Sequence, residues 1–332
     1  MLKRRAHLVA IGFAGMLGLI AGTGHPFPAW AQHQSSTEEG RDAPAARSGE
    51  TDPSRVEPQS DAESKDGTPR REPRFLPPLL RPKVLTPEEL EEAERLKKLA
   101  ARFGTDPTAI VGRVQLSSEY AELPQGAKYV STVVRVDLPF RGNWLLRLDF
   151  PFERWSDPNR SGATSERGMS DLSVTAGWRA YNTPEYAFFL GAVSTFPTAA
   201  ENTLGSGKYT AGPLIATARF LPRWESFLFG IFQHQISVGG DPARRDVQFT
   251  RGILRINTIW AEQWWTDLHG IWQVDWERNS TTSMTLEFEG GRNLVDRWGI
   301  FLRPGVGVWG RDVPGAYEWN IEIGIRRIFG SL

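Results

Sequence analysis

Apolar and polar side chains alternate with a period of two over most of the chain after residue 106. Trp319, Ile321 and Ile323, for example, interleave with Asn320 and Glu322. Such alternation predicts β-strands with one apolar and one polar face. The pattern predicts twelve strands: 109–120, 127–140, 143–155, 169–182, 185–197, 208–221, 224–238, 246–261, 264–277, 281–292, 297–309 and 316–329.

The connections between these predicted strands alternate in length. Tight connections are predicted at 141–142, 182–184, 222–223, 261–263 and 295–296. Long polar connections are predicted at 156–170, 198–207 and 239–245. Short turns on one side and long loops on the other are typical of an outer-membrane barrel.

Aromatic residues stand at both ends of the predicted strands. Trp144 and Trp155, or Trp264 and Trp276, lie 11 and 12 residues apart. At roughly 3.3 Å per residue and a tilt of about 40°, this spacing spans about 25–30 Å, the height of an outer-membrane apolar band. A soluble β-sandwich would need a core for these rings. The pattern therefore predicts an all-β transmembrane antiparallel up-and-down β-barrel of about 12 strands over 107–332.

A different period, typical of an amphipathic helix, occupies 85–104. Thr86 is the predicted N-cap, Pro87 the first helical residue, Glu89 the capping-box partner and Gly104 the stop. Apolar residues fall at helical spacing at Leu90, Ala93, Leu96, Ala100 and Phe103. Three placements are open: beneath the barrel mouth, inside it as a plug, or on a periplasmic partner. A helix threaded through a translocator pore is a fourth, although the preceding segment would make a poor passenger.

The sequence before this helix predicts that the protein is exported from the cytoplasm. Residues 1–31 combine a basic start, an apolar stretch over 8–21 and the A-x-A sequence at 29–31, which together predict a signal peptide. Residues 32–84 are rich in Pro and charge, with eight Pro between 32 and 83. We expect this segment to be disordered, because it cannot bury enough apolar surface, and to remain in the periplasm.

Composition narrows the function classes. The 39 Lys and Arg balance 39 Asp and Glu, so no positive excess predicts nucleic-acid binding. The absence of Cys excludes disulfides and Cys-based metal sites, and 12 of the 13 Trp follow residue 140. The G-x-G-x-x-G letters at 305–310 lie in a predicted strand without a following helix, so no dinucleotide site is predicted. No catalytic group, metal site or cofactor is predicted, and the protein is not expected to be an enzyme.

If the apolar strand faces meet lipid, the charged faces line the lumen. The predicted lumen or constriction residues are Arg135, Asp137, Arg147, Asp149, Arg251, Arg255, Asp267, His269, Glu287, Arg303, Glu322 and Arg326. Counting outward from the tight turns predicts three cross-strand neighbours. The predicted pairs are Arg135 with Arg147, Arg255 with His269 (Asp267 diagonal), and Glu287 with Arg303.

Two functions fit a lumen with charges of both signs. The first is a porin-like channel for passive passage of small solutes. The alternative is a structural or partner-binding outer-membrane barrel with a filled lumen and no flux. A twelve-stranded barrel allows both, because its lumen is intermediate between side-chain-filled and open barrels. The expected partners are outer-membrane lipid and lipopolysaccharide of a Gram-negative bacterium, a small-molecule solute, and the barrel-assembly machinery during insertion.

Three short stretches resemble a known family. Residues 168–172 (GMSDL), 196–198 (FPT) and 205–209 (GSGKY) are similar to motifs of the outer-membrane protein family associated with phenol meta-cleavage degradation. The chain departs from that pattern at Ser170 and Ala199, where the family prefers Gly, and in its final residues after Phe329. The resemblance implies an outer-membrane barrel that moves small hydrophobic or aromatic compounds.

Overall fold

The structure is a computed structural model. It describes residues 86–140, 142–159, 164–310, 313 and 315–330. The predicted signal peptide (1–31) and the Pro-rich charged segment (32–84) lie outside the described residues. Among the helices that are described, none has the length and apolar character needed to cross a membrane.

The predicted amphipathic helix is confirmed as α1, Pro87–Phe103. Its first turn is closed by a reciprocal capping box, in which Glu89 N donates to Thr86 Oγ1 at 3.2 Å and Thr86 N donates to Glu89 Oε2 at 3.1 Å. The helix ends at Gly104, whose φ of 68° is left-handed and suits a residue without Cβ. Sequence therefore determines both ends of α1 locally.

Twelve long antiparallel strands and one short strand form the sheet in the described part of the chain. They are β1 Gly112–Glu122, β2 Lys128–Phe140, β3 Trp144–Asp157, β4 Glu166–Gly168, β5 Leu172–Asn182, β6 Tyr186–Phe196, β7 Lys208–Leu221, β8 Ser226–Gly240, β9 Gln248–Trp260, β10 Trp264–Asp275, β11 Thr281–Asn293, β12 Trp298–Trp309 and β13 Trp319–Phe329.

The long strands close into a barrel of neighbours in chain order. β1 pairs with β2 on one side and with β13 on the other, so the first and last strands form the closing seam. The short β4, which the sequence did not predict, only extends the edge beyond β3. The predicted closed, twelve-stranded, up-and-down barrel is confirmed.

The two ends of the barrel differ as predicted. We call the end with the tight connections 141–143, 183–185, 222–225, 261–263 and 294–297 the turn end, and the opposite end the loop end. The tight connections need left-handed residues, such as Gly142 and Asn143 (φ 74° and 68°) before β3. Three residues thus separate Phe140 from Trp144, which pair across this turn.

An apolar surface covers the outside of the barrel. Its exposed large side chains include Val114, Leu116, Phe150, Leu190, Ile215, Phe232, Phe288, Ile300, Leu302, Val306, Ile321 and Ile323. Exposed aromatic rings lie at the turn end at Phe140, Trp144, Tyr181, Trp224, Trp260, Trp264 and Trp298, and at the loop end at Phe196, Tyr209, Trp276 and Trp309. An apolar band between two aromatic girdles is the exterior of a membrane barrel.

Three aromatic rings near the ends of the predicted strands are instead turned inward. Phe220 is buried in an apolar cluster with α1. Tyr317 is buried and donates a hydrogen bond to Glu287. Tyr129 lies under the guanidinium of Arg154, 4.5 Å from its centroid. These rings belong to the inward face, so the girdles are smaller than the aromatic count suggested.

Candidate functional site: the barrel lumen and its helix

α1 closes the turn end of the lumen. Its buried face carries Leu96, Leu99, Ala100 and Phe103. These side chains pack against inward-facing apolar residues of six strands, namely Ala187, Ala218, Phe220, Phe227, Phe229, Ile259, Trp265 and Phe301. Of the placements that the sequence left open, the structure shows the plug.

The inner end of α1 is held by an aromatic contact. The rings of Phe103 and Trp265 lie 5.8 Å apart between centroids. Trp265 is itself fixed, because its Nε1 donates to Glu289 Oε1 at 2.7 Å. Gly291 leaves the space for this indole, since a Cβ there would lie 2.0 Å from it.

Polar contacts tie α1 to the tight turns around it. Arg95 pairs with Glu262 at 2.6 Å and with Glu225 at 3.7 Å. Lys97 Nζ donates to the carbonyl oxygen of Thr183 at 2.6 Å. Three turns of the barrel therefore hold the helix inside the turn end.

Lys97 makes docking of α1 sensitive to pH. Burial of its ammonium lowers the pKa of Lys97 to about 8, although the nearby Asp106 opposes the shift. Because the folded pKa lies below that of an exposed lysine, the charged form is disfavoured in the docked helix. The free energy of docking should therefore become more favourable as pH rises through about 8. This gain is complete only above the pKa that Lys97 has when α1 is undocked.

We expect the amide hydrogen-exchange protection of α1, corrected for intrinsic rates, to increase between pH 6.5 and pH 9.5. The Lys97→Met variant should lose most of this increase, because no charge must then be buried. Lys98→Met is the matched control, since the Lys98 side chain is 81% exposed. Equal pH profiles for wild type and Lys97→Met would contradict the expectation.

The twelve predicted lumen residues lie on inward positions that alternate with the outward apolar side chains. Two groups of ion pairs bring most of them together. In the first, Asp137 lies between two guanidiniums, with Arg113 Nη2 at 2.6 Å and Arg147 Nε at 2.7 Å. The neighbouring pair is Arg135 with Asp149.

The register of this first group corrects the prediction. Arg135 faces Asp149 and Asp137 faces Arg147, so the two arginines are not opposite each other. The prediction centred the turn on Arg141, whereas three residues separate Phe140 from Trp144 and shift the register by two. Opposite charges thus face each other directly.

The second group surrounds Arg303. Its Nε lies 3.2 Å from Glu287 Oε2, its Nη1 lies 3.7 Å from Glu289 Oε2, and it also pairs with Glu322. In the register Glu287 faces Gly305, not Arg303, so the predicted direct pair is wrong and the contact is diagonal. Arg326 Nη2 completes the group by donating to Glu289 Oε1 at 2.8 Å.

His269 and Asp267 extend this group onto β10. His269 faces Arg255 across β9, as predicted. Its Nδ1 lies 3.3 Å from Glu287 Oε2 and its Nε2 lies 3.4 Å from Asp267 Oδ1, while Asp267 pairs with Arg255. His269 is thus bracketed by carboxylates within the ion-pair network, an arrangement without a nucleophile.

The helix and the closing seam share one acceptor. Arg113 Nη1 on β1 and Arg326 Nη1 on β13 both donate to the carbonyl oxygen of Gly104, at 3.1 and 3.3 Å. Two cations at a helix C-terminus satisfy its free carbonyls and its dipole. The lumen network is therefore joined to the end of α1.

The connection between β12 and β13 enters the lumen from the loop end. Val313, Ala316 and Tyr317 are buried, and Tyr317 OH donates to Glu287 Oε1 at 2.6 Å. Gly305 and Gly307 leave room for it, because a Cβ at Gly305 would lie 2.8 Å from Tyr317 Oη. Sequence reasoning missed this inward segment; the small residues of β12 are the signal that could have indicated it.

The lumen has a second, largely uncharged wall on β5–β8. Its inward residues near the turn end are apolar: Phe189 of β6 and Ala216 of β7 form a cluster with Leu145 of the neighbouring β3, and Leu214 and Ile231 pack against it. Nearer the loop end, Gln235 Oε1 accepts from Thr210 Oγ1 at 2.9 Å. The lumen thus has a charged wall and an apolar wall.

Solvent reaches part of the charged wall. The side chains of Arg135, Arg147 and Arg303 retain 34, 22 and 23% of their exposure, whereas those of Asp267 and Glu289 retain 0 and 3%. The lumen is therefore filled by side chains around β10–β11, and it is accessible to solvent beside β2 and β3. Within the described ranges, no group of three or more His, Cys, Asp or Glu is arranged to hold a metal ion.

Comparison with known proteins agrees with this architecture. No family model matches the chain, and no curated protein matches it. Among solved structures, an outer membrane channel from Pseudomonas putida F1 matches with a TM-score of 0.51 and 13% identity, over 68% of this chain and 99% of that one.

Two porins give lower scores. The NanC porin has a TM-score of 0.47 and 8% identity over 66% of this chain and 100% of its own. The KdgM porin has a TM-score of 0.45 and 7% identity over 65% of this chain and 99% of its own. At such identities the likeness to the Pseudomonas channel concerns the fold. With its apolar exterior, the chain is an outer-membrane β-barrel.

Proposed function

We propose that this protein is an outer-membrane channel for passive passage of small solutes, closed at its turn end by α1. The supporting observation is the accessible arginine side chains of β2 and β3 inside a barrel whose obstruction at the turn end is a separate docked helix. Passage requires that α1 move, and the barrel wall can stay closed when it does, because β1 pairs directly with β13.

The solute class that we propose is small and partly apolar. The apolar wall around Leu214, Ile231 and Phe189 lies inside the same lumen as the arginines. A solute with an apolar body can contact this wall while the charged wall repels lipid. The motif resemblance to the phenol meta-cleavage family, with its implied hydrophobic or aromatic compounds, is consistent with this class.

The competing candidate is a barrel with a filled lumen and no flux. The observation that favours it is the buried network around Glu289, where Arg303, Arg326 and Trp265 converge on one carboxylate. Such a network would stiffen the barrel, and α1 with the preceding segment would then engage a periplasmic partner.

We further propose that the turn end faces the periplasm, with the segment before α1 on that side. The even number of strands, which brings both ends of the barrel chain to the turn end, supports this orientation. Lipopolysaccharide would surround the loop end, and the barrel-assembly machinery would act during insertion. Neither catalysis nor nucleic-acid binding belongs to this proposal.

Single-channel recording in planar bilayers tests the channel proposal. Purified protein without residues 1–31 should give discrete ohmic steps, and proteoliposomes containing it should admit benzyl alcohol and benzoate faster than protein-free vesicles. If neither steps nor entry occurs across pH and salt, including in a variant with α1 undocked, the filled-lumen function replaces the channel.

A further inference from the structure

The inward face of β8, β9 and β10 is arranged in rows across the three strands. The register places Gln233, Arg251 and Gln273 side by side, and the next inward row is Ile231, Ile253 and Ile271. Neighbouring strands lie about 4.8 Å apart and successive inward positions about 6.6 Å apart. A cationic row and an aliphatic row are thus adjacent.

Arg251 differs from Arg255, the other inward arginine of these three strands, because no carboxylate pairs with it. Its Nε and Nη2 both donate to Oε1 of Gln273, at 2.9 and 2.7 Å, and its guanidinium lies 5.4 Å from the Phe249 ring centroid. Among the described residues it forms no ion pair, whereas Arg255 on the same strand pairs with Asp267. A guanidinium in the lumen without a directly paired carboxylate keeps donors that can bind an anion.

Two neighbours can complete an anion site at Arg251. Gln233 is only partly buried, and its side chain forms no hydrogen bond with another described residue. Gly315 covers the other side, where a Cβ would lie 3.3 Å from Arg251 Nη2. Its φ of 86° also favours glycine, so the inward segment leaves space beside the guanidinium.

The aliphatic row indicates which kind of apolar group is joined to the bound anionic group. Ile231, Ile253 and Ile271 are all partly exposed, so they border open lumen. A row spacing of about 6.6 Å matches a carboxylate joined to a single ring or short branched chain. The next inward row returns to charge at Arg255 and His269, which limits the length of the apolar body.

We propose that Arg251, oriented by Gln273 and assisted by the neighbouring Gln233, binds the carboxylate of a small monocarboxylate whose apolar body lies on the aliphatic row. This inference rests on the proposed channel function and names its solute class, because a binding site facing open lumen would select the solute that passes. Recognition comes from the bidentate geometry of guanidinium and carboxylate together with apolar contact.

Calorimetric titration of the detergent-purified protein tests the site independently of flux. Benzoate should bind saturably, whereas acetate, which lacks the ring, and benzyl alcohol, which lacks the charge, should each bind at least about tenfold more weakly. Arg251→Gln should weaken benzoate binding by about tenfold or more, and Arg251→Lys should weaken it less.

Arg154→Gln is the matched control, because Arg154 also faces the lumen without an ion pair among the described residues but lies on β3, against Tyr129. It removes the same charge and should leave benzoate affinity within about twofold. Equal losses in Arg154→Gln and Arg251→Gln would overturn the site in favour of a general lumen potential. Equal binding of benzyl alcohol and benzoate, or no saturable benzoate binding, would also overturn it.

Heat-modifiable electrophoretic mobility shows whether each variant folds. If Arg251→Gln does not fold, a second variant tests the proposal. Ile253→Asn leaves Arg251 in place and should reduce the preference for benzoate over acetate by about tenfold. An unchanged preference would overturn the proposal. Benzoate binding without conductance would refute the channel function and support the carboxylate site. Conductance without benzoate binding would support the channel function and refute the site.

Discussion

Leu96→Asp should raise the mean current through the reconstituted barrel by at least about tenfold. Leu96 is 1% exposed within the apolar cluster that joins α1 to Phe220, Phe227 and Phe229. A carboxylate there loses the packing of a leucine and must be buried without a partner, a cost of about 3–5 kcal/mol against docking. Such a cost shifts the docking equilibrium by about 10²–10⁴, which lengthens the time that the helix spends undocked. Single-channel recording measures it directly.

Leu90→Asp is the control for this substitution. Leu90 lies on the same helix but is 39% exposed, so the new charge stays in water and the current should remain within about twofold of wild type. If Leu96→Asp leaves the current unchanged while protease accessibility shows α1 released, the remaining network alone blocks the lumen. The filled-lumen function would then hold.

Asp137→Ala should lower the free energy of unfolding by about 3–5 kcal/mol, because it leaves the largely buried Arg113 and the partly buried Arg147 without their shared counter-charge. Asp137 is 3% exposed and accepts from both Arg113 and Arg147. Arg113 also holds the end of α1. Urea unfolding of the barrel in lipid vesicles, followed by Trp fluorescence, should show a lower midpoint with an unchanged slope.

Asp149→Asn is the matched comparison. Asp149 keeps 21% of its side-chain exposure and its partner Arg135 keeps 34%, so water can solvate the remaining cation. The loss should stay below about 1 kcal/mol. A similar midpoint for both variants would show that burial does not decide the strength of these pairs, contrary to our expectation.

The strands were predictable because each is a local pattern. All twelve long strands begin and end within three residues of the prediction. The register between two neighbouring strands depends on the number of residues in the turn that joins them, which the alternation of apolar and polar residues does not reveal. The register about Glu262 was predicted, since Arg255 faces His269, whereas the three-residue turn at 141–143 shifted Arg135 onto Asp149.

The contents of the lumen were harder to predict, because they depend on contacts between distant segments. Apolar residues on both faces of β6, β7 and β8 blurred the alternation, and the structure shows the reason: Ala187, Phe220 and Phe229 receive α1. That blurring could have located the helix. The inward position of Tyr317 could not be read from its own segment, which fits an outward strand residue equally well; the small residues Gly305 and Gly307 of β12 were the available signal.

The carbonyl oxygen of Gly104, which two strands share as a hydrogen-bond acceptor, links closure of the barrel seam to docking of α1. Strands β1 and β13 are the first and last to be synthesised, and Arg113 and Arg326 on these strands reach the same carbonyl oxygen. The final zipping of β1 onto β13 is therefore stabilised when the helix terminus is already in position. By the same linkage, closure of the β1–β13 seam stabilises the docked helix by an equal amount.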